Sequence, residues 1–151
     1  MELGPEERLV GRTAFRAILA GSPGGPQEIA LVAGLDRSLV ENTLRKLKSR
    51  GLAVDDQETG SVVGIWGLTL LPTPHRLEMG GRKFYAWCAI DAVGIPAALG
   101  ETARIDSKCH ECGAPLHLEV VAGRARTGQD EAEVWVWAAA PDLSKSLTAY
   151  T

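Results

Sequence analysis

Apolar residues recur at helical spacing in three segments of the first fifty residues. Pro5 to Ala20 carries an apolar stripe with acidic residues at its start and Gly21 beyond its end, which predicts a helix. After a Gly/Pro/Ser loop, Pro26 can open a short helix that ends near Gly34. Asp36 is a suitable N-cap for a third helix, and Gly51 is suited to stop it. The pattern predicts three helices in this half.

Two strand-like runs follow the third helix. Leu52 to Val54 and Ser61 to Leu68 flank a polar turn, so they predict a β-hairpin. Three helices followed by a hairpin are typical of a winged helix-turn-helix unit, whose third helix can bind DNA. That helix is basic, whereas the turn of the wing is acidic, which disfavours contact with phosphate. The basic residues are Arg37, Arg45, Lys46, Lys48 and Arg50, and the acidic ones are Asp55, Asp56 and Glu58.

The pattern changes beyond residue 70. Arg76–Met79 and Arg82–Tyr85 surround Gly80-Gly81, which predicts a second hairpin. An apolar, Ala-rich stretch then predicts a helix that begins near Ala86 and is disturbed at Gly94–Pro96. Three strands are expected after it: Thr102–Ser107, Leu116–Val121 and Glu133–Ala139. The last has apolar residues on both faces, and exposed Trp135 and Trp137 would indicate a homodimer contact. We therefore expect an α+β protein with an N-terminal domain at 1–70 and a second domain at 71–151.

Composition narrows the function classes. The 151 residues are 45% hydrophobic and 23% charged with a net charge of −3, which is typical of a globular chain without a strong polyanion-binding character. Neither a signal peptide nor a membrane span is recognisable, so a cytoplasmic protein without a membrane partner is expected. The three cysteines are an odd number, which argues against a disulfide framework and favours thiols kept for chemistry or metal binding.

Cys88 and Asp91 are three residues apart in the predicted helix, which places them on one face. A cysteine in the first turn would be favoured as thiolate by the helix dipole, and thiolates bind soft metals. For Cys88 alone, a small buried apolar side chain is the alternative.

The block Tyr85-Ala86-Trp87-Cys88-Ala89-Ile90-Asp91 resembles the catalytic core of the organomercurial (alkylmercury) lyase family, and the resemblance extends over roughly residues 60 to 120. It implies a mixed α/β alkylmercury-lyase-like domain after the winged-helix-like unit. It also implies that Cys88 binds mercury and that Asp91 transfers a proton to the organic leaving group. Soft thiolates would capture R–Hg, and protonation would give a hydrocarbon and Hg(II) without an organic cofactor. Small thiols would release the product. Tyr85 and Trp87 are candidates for the wall of a substrate pocket, with ordinary core packing as the alternative.

The chain departs from the family pattern in one respect. Family members carry a second catalytic cysteine downstream of the segment that resembles Glu133–Ala139, and no cysteine follows Cys112 here. Cys109-His110-Glu111-Cys112 forms a CxxC turn that can grip one metal, zinc or copper included, from two sides. Cys88, His75, His110 or His117 could complete such a site. We expect that Cys112 or Cys109 replaces the missing thiol beside Cys88.

Three functional hypotheses follow from these patterns. The first is an organomercurial lyase or lyase-like protein that uses Cys88 and Asp91 with one or both of Cys109 and Cys112. The second is a winged-helix regulator whose DNA affinity responds to a thiol-bound metal, with DNA a disfavoured partner. The third is a noncatalytic protein that holds mercury, copper or zinc on its three thiols.

Overall fold

The computed structural model describes residues 2–127. In this part of the chain, three helices are followed by five strands, a fourth helix and three further strands. The first three helices are α1 (Pro5–Leu19), α2 (Pro26–Ala33) and α3 (Arg37–Ser49). The strands are β1 (Ala53–Asp55), β2 (Val62–Ile65), β3 (Leu68–Thr69), β4 (His75–Met79), β5 (Arg82–Ala86), β6 (Ala103–Lys108), β7 (Pro115–Val121) and β8 (Arg124–Thr127). Helix α4 (Ala89–Leu99) lies between β5 and β6 in the chain. The expected strand at Glu133–Ala139 lies outside the described residues.

The eight strands form one antiparallel sheet in the order β1-β2-β3-β5-β4-β6-β7-β8. Helix α4 packs against the middle of this sheet, with contacts from β3 to β7. The predicted α+β class, with N-terminal helices followed by a sheet and one helix, is confirmed. Strand β3 and strand β8 were not expected from the sequence.

The N-terminal helices form because each buries a narrow apolar stripe. Helix α1 begins with Pro5 and two glutamates, which suit a helix N-terminus, and it buries Val10, Ala14 and Ile18. Helix α3 is capped at Asp36 as predicted, although the Asp36 side chain makes no capping hydrogen bond. Helix α1 packs on α2, α3 and β2, and Gly24 bridges to Val62. The helical unit is thereby fixed to the edge of the sheet that β1 and β2 form.

The single strand expected at Ser61–Leu68 is wrong, because a two-residue turn divides it into β2 and β3. Ile65 pairs with Leu68, and Trp66 and Gly67 between them have φ of +51° and +89°. Positive φ at both central residues is the geometry of the type I′ hairpin turn. The Trp66 ring lies over Gly11 of α1, where an added Cβ would be 2.2 Å from the ring. The turn is thus locked onto the first helix.

Helix α4 starts later than the sequence indicated and is not interrupted. Ala86 still pairs with Leu68 and His75 as part of β5, so the helix can begin only at Ala89. Pro96 is buried within the helix, which continues to Leu99 and ends at Gly100 with φ of +70°. The expected disturbance at Gly94–Pro96 is therefore wrong: the helix passes through it.

One apolar cluster connects both halves of the chain. It extends from Val10 and Ile18 of α1 through Leu68 of β3 to Ile105 and Val120 in β6 and β7. The sheet also continues across residue 70, where the sequence suggested a domain boundary; a division of the fold at that point stays a prediction. None of the helices described between residues 2 and 127 is long and apolar enough to cross a membrane.

Candidate active site

Cys88 is the N-cap of helix α4. Its backbone is extended, with φ of −148° and ψ of 171°, so its side chain turns back toward the first helical residues. The sulfur accepts a hydrogen bond from the Asp91 N–H at 3.4 Å, and the thiol donates to Asp91 Oδ2 at 3.0 Å. The two side chains that the sequence placed three residues apart therefore touch, but through a cap rather than along a helical face.

The surroundings of the Cys88 thiol disfavour its thiolate form. Partial burial raises its pKa above the ordinary value, and the hydrogen bond to the Asp91 carboxylate raises it further. The backbone N–H groups of Asp91 and Ile90 oppose this rise but are smaller causes. The expected place of Cys88 in the first turn is wrong: the residue precedes the helix as its N-cap, and its sulfur faces a carboxylate.

The Asp91 carboxylate is seated on the β2–β3 turn. A Cβ added to Gly67 would lie 2.4 Å from Asp91 Cγ and 2.5 Å from Oδ1, so only glycine leaves room for the carboxylate there. The Gly67 carbonyl also accepts the Trp87 N–H at 2.8 Å, which ties the turn to the residue before Cys88. Sequence reasoning missed Gly67. The one available signal was a glycine inside an apolar run, which often marks close backbone approach.

His75, which the sequence offered only as a possible metal ligand, lies near the Asp91 carboxylate. Its Nδ1 lies 2.8 Å from Ser107 Oγ, and the two residues are 32 positions apart in the chain. Burial lowers the pKa of His75, and the nearby Asp91 carboxylate opposes that shift. The His75 imidazole, whose charged form burial disfavours, thus lies within electrostatic range of Asp91. His117, in contrast, is exposed and pairs with Asp106 at 2.7 Å.

Tyr85 and Trp87, the expected pocket residues, lie in and after β5. Trp87 is only 6% exposed, and its indole nitrogen is within 3.3 Å of where a Cβ on Gly64 would be. Most of the Trp87 side-chain surface is therefore covered by other residues of the protein. An apolar groove of about 510 Å³ lies between α4 and strands β7 and β8, lined in part by Ala89 and Ile90, which follow Cys88. A substrate-contacting role for Tyr85 and Trp87 stays a prediction.

Cys109 and Cys112 lie together in the turn between β6 and β7. The pKa of Cys109 is lowered because the backbone N–H groups of Cys112 and Glu111 and the Cys112 thiol donate to its sulfur. Among residues 2–127, no group of three or more His, Cys, Asp or Glu side chains is arranged to hold a metal ion. The described structure thus pairs Cys88 with Asp91, and Cys109 with Cys112, without gathering all three thiols into one cluster.

The basic helix α3 is partly neutralised by carboxylates. Arg37 pairs with Glu41 at 2.7 Å, and Lys48 pairs with Asp55 of the wing. Arg50, which caps the helix, pairs with Glu7 of α1 at 2.7 Å. These three cations are engaged within the protein, which leaves fewer of them for phosphate groups.

Comparison with known proteins identifies the fold around these residues. A family model described as alkylmercury lyase matches residues 68–150, a range that includes Cys88, Asp91 and the CxxC turn. This chain belongs to the alkylmercury lyase family. The resemblance noted in the sequence is therefore confirmed at the level of the family.

Individual alkylmercury lyases match most of the chain. That of Staphylococcus epidermidis is 40% identical over 113 residues, which cover 75% of this chain and 50% of that protein. That of Bacillus cereus is 34% identical over 140 residues, covering 90% and 62%. The crystal structure of the mercury-bound form of MerB2 superposes with a TM-score of 0.80 at 28% identity, covering 85% of this chain and 63% of that one. The chain thus spans about half to three fifths of the length of these alkylmercury lyases.

Proposed function

We propose that this chain cleaves carbon–mercury bonds as an alkylmercury lyase, with Cys88 as the mercury-binding nucleophile and Asp91 as the proton carrier. The observation that carries the proposal is the 3.0 Å hydrogen bond from the Cys88 thiol to Asp91 Oδ2 in a chain of this family. A thiol that already shares its proton with a carboxylate can give up that proton when a soft cation arrives.

The first step is capture of the organomercurial. The substrate reaches the site as R–Hg–X, where X is a small thiolate. Asp91 takes the proton of Cys88 as the sulfur attacks mercury, a Cys88–S–Hg bond forms, and X leaves as thiolate. The partial burial that raises the pKa of the free thiol also strengthens the attraction between sulfur and the incoming cation.

The second step is protonation of carbon. Asp91, now carrying the former thiol proton, lies beside the sulfur that holds R–Hg, so the proton can be passed to the carbon bound to mercury. The electron pair of the C–Hg bond becomes the new C–H bond, and the hydrocarbon R–H leaves. Mercury stays on Cys88 as Hg(II) with an open position for another thiolate. These steps use no organic cofactor, and small thiols serve as the incoming and outgoing ligands.

The position of the Asp91 carboxylate is what the surrounding residues supply. Gly67 permits its close approach, and the bond from the Trp87 N–H to the Gly67 carbonyl fixes the turn relative to Cys88. Positioning of this kind accounts for large factors in rate, since a displacement of about 1 Å can cost roughly a hundredfold.

Release of benzene from phenylmercury, measured by gas chromatography with an excess of small thiol, tests the proposal. We expect turnover by the wild type, loss of turnover in Cys88→Ser, and a drop of about a hundredfold or more in Asp91→Asn, since general acid–base catalysis contributes on that order. Asp36→Asn is the matched control, because asparagine caps a helix as well as aspartate does and Asp36 makes no capping bond with its side chain.

Two results would overturn the enzymatic proposal: no benzene from the wild type, or unchanged release in Cys88→Ser. Retention of mercury without hydrocarbon release would instead favour the noncatalytic metal-binding hypothesis. The regulator hypothesis gains no specific support, because three cations on and next to α3 are paired with carboxylates.

A further inference from the structure

The turn between β6 and β7 holds its two cysteines in a compact arrangement. The Cys109 N–H donates to the Ala114 carbonyl at 2.8 Å, and the Gly113 N–H donates to the Cys109 carbonyl at 2.9 Å. Hydrogen bonding from the backbone of Cys112 and Glu111 and from the Cys112 side chain lowers the pKa of Cys109. Gly113, with φ of +71°, lets the chain reverse after Cys112. The two cysteines are therefore held in one turn whose backbone is closed by hydrogen bonds.

The number of ligands at this turn limits the metal it suits. A structural zinc site needs four ligands, and within the described part of the chain no third His, Cys, Asp or Glu joins the two thiols. Hg(II), which is soft and is satisfied by two thiolates, matches a two-sulfur site. Cys112 supplies the second sulfur, since without it the turn would offer Cys109 alone.

The turn also lies at the same end of the sheet as Cys88. His75 of β4 pairs with Ala86 at the end of β5, and its ring bonds to Ser107 near the end of β6. Cys88 follows β5 by two residues, and Cys109 follows β6 by one. Only β4 separates β5 from β6. At a strand spacing of about 4.8 Å, the C-terminal ends of β5 and β6 are therefore roughly 10 Å apart.

We propose that Cys109 and Cys112 form a dithiol site that accepts Hg(II) from Cys88. This acceptor role rests on the proposed function, which leaves Cys88–S–Hg–X with X a small thiolate. In the exchange, two bonds form between mercury and the sulfurs of Cys109 and Cys112, while the Cys88–Hg and Hg–X bonds break. One thiol proton passes to Cys88 and the other leaves with X as free thiol, so no oxidant or reductant is required. Cys88 and Asp91 are then ready for another substrate.

Binding is tested with HgCl2 on the full chain in which Cys88 is already replaced. We expect Cys88→Ser to retain one mercury per chain against glutathione, measured by elemental analysis after gel filtration. Adding Cys112→Ser or Cys109→Ser should weaken retention by about tenfold or more, because one of the two thiolate bonds is lost. The control is His110→Ser, which changes the residue between the cysteines but neither sulfur. Absence of retention in Cys88→Ser, or retention that is indifferent to Cys112, would overturn the site.

Acceptance of mercury from Cys88 has its own measurement. One equivalent of HgCl2 is added to the wild type, free thiols are alkylated with N-ethylmaleimide, and the peptides are read by mass spectrometry. Protection of Cys109 and Cys112 with Cys88 alkylated supports the inference, whereas protection of Cys88 with the pair alkylated contradicts it. Benzene release is scored separately. A dithiol that holds Hg(II) in a chain that releases no benzene would refute the proposed activity and leave the site standing.

Discussion

At the scale of single residues, the Cys88 and Asp91 side chains behave as one acid–base unit. Burial disfavours the thiolate, and the neighbouring carboxylate adds to that penalty while it accepts the thiol hydrogen. Both effects raise the pKa of Cys88, and under the proposed function an arriving soft cation would make the thiolate favourable. The Asp91 carboxylate disfavours the thiolate of Cys88 in the free protein, and in the proposed reaction the same carboxylate removes the thiol proton. The pKa of the free thiol and its reactivity toward mercury therefore depend on one contact.

The pH dependence of Cys88 alkylation tests this unit without any mercury. Because the folded pKa of Cys88 is raised, its reaction with iodoacetamide should reach half-maximal rate at a higher pH than that of an ordinary cysteine. Asp91→Asn removes the carboxylate, so the midpoint should move to lower pH and the rate at neutral pH should rise. Peptide mass spectrometry distinguishes Cys88 from the other thiols. Asp36→Asn should leave the midpoint in place, and an unchanged midpoint in Asp91→Asn would show that the carboxylate does not govern the thiol.

At the scale of elements, the β2–β3 turn connects the helical unit to the site. Trp66 takes a φ of +51°, a conformation that costs a non-glycine residue about 1–2 kcal/mol. Its ring packs over Gly11 and lies 6.2 Å from the Phe15 ring, and this contact offsets the strain. Gly67, the next residue, then lies against Asp91. Helix α1 thus holds the turn through Trp66, and the turn in its place holds the Asp91 carboxylate through Gly67.

Replacing Gly67 tests the positioning. Gly67→Ala places a methyl group where the Asp91 carboxylate lies, so the carboxylate must shift and its hydrogen bond with Cys88 should be disturbed. Gly60→Ala is the matched control, since Gly60 also has a positive φ of +67° but open space around it. Both variants should lose about 1–2 kcal/mol of unfolding free energy in urea titrations. Only Gly67→Ala should lower the pKa of Cys88 and reduce benzene release, by roughly tenfold or more. Equal behaviour of the two variants would mean that Gly67 serves the turn alone.

The elements that the sequence predicted well are those with a local signal. Helices α1 to α3 and the β4–β5 hairpin follow from apolar spacing and from the glycines that end them. The β2–β3 turn was missed because tryptophan is an unusual residue for a left-handed position, and its burial against Gly11 is a tertiary contact. The start of α4 was misplaced because Ala86 is held in the sheet by Leu68 and His75, which no local pattern shows.

The site follows the same rule. The Cys88–Asp91 pair could be found from a three-residue spacing and a family-like block. Gly67 and Asp91 are far apart in the chain, as are His75 and Ser107, and only the sheet register brings each pair together. Cys109 and Cys112 share one turn because their CxxC spacing is local, and a metal-binding role for them stays a prediction. The raised pKa of Cys88 could not be predicted, because it depends on burial and on the contact with Asp91.

At the scale of the whole molecule, the site is built where the two halves of the chain meet. The turn that seats Asp91 belongs to the hairpin of the first half, whereas Cys88 and Asp91 belong to the second. One sheet and one apolar cluster cross the junction at residue 70. A fold of this kind is expected to open as a unit, because loss of packing in either half removes support from the other.

Native-state hydrogen exchange can measure whether the two halves of the chain open together. Ile18→Val in α1 and Ile105→Val in β6 each remove one methylene from a side chain that is at most 1% exposed, at a cost of about 1 kcal/mol. In a single cooperative unit, each variant should lower the opening free energy of the slowest amides of both α3 and β4 by the same amount. Leu31→Val, at a side chain that is 75% exposed, should change neither by more than about 0.5 kcal/mol. If each core variant affected only its own half, the halves would be separate folding units, and Asp91 would depend on the β2–β3 turn through a docked interface rather than through a shared core.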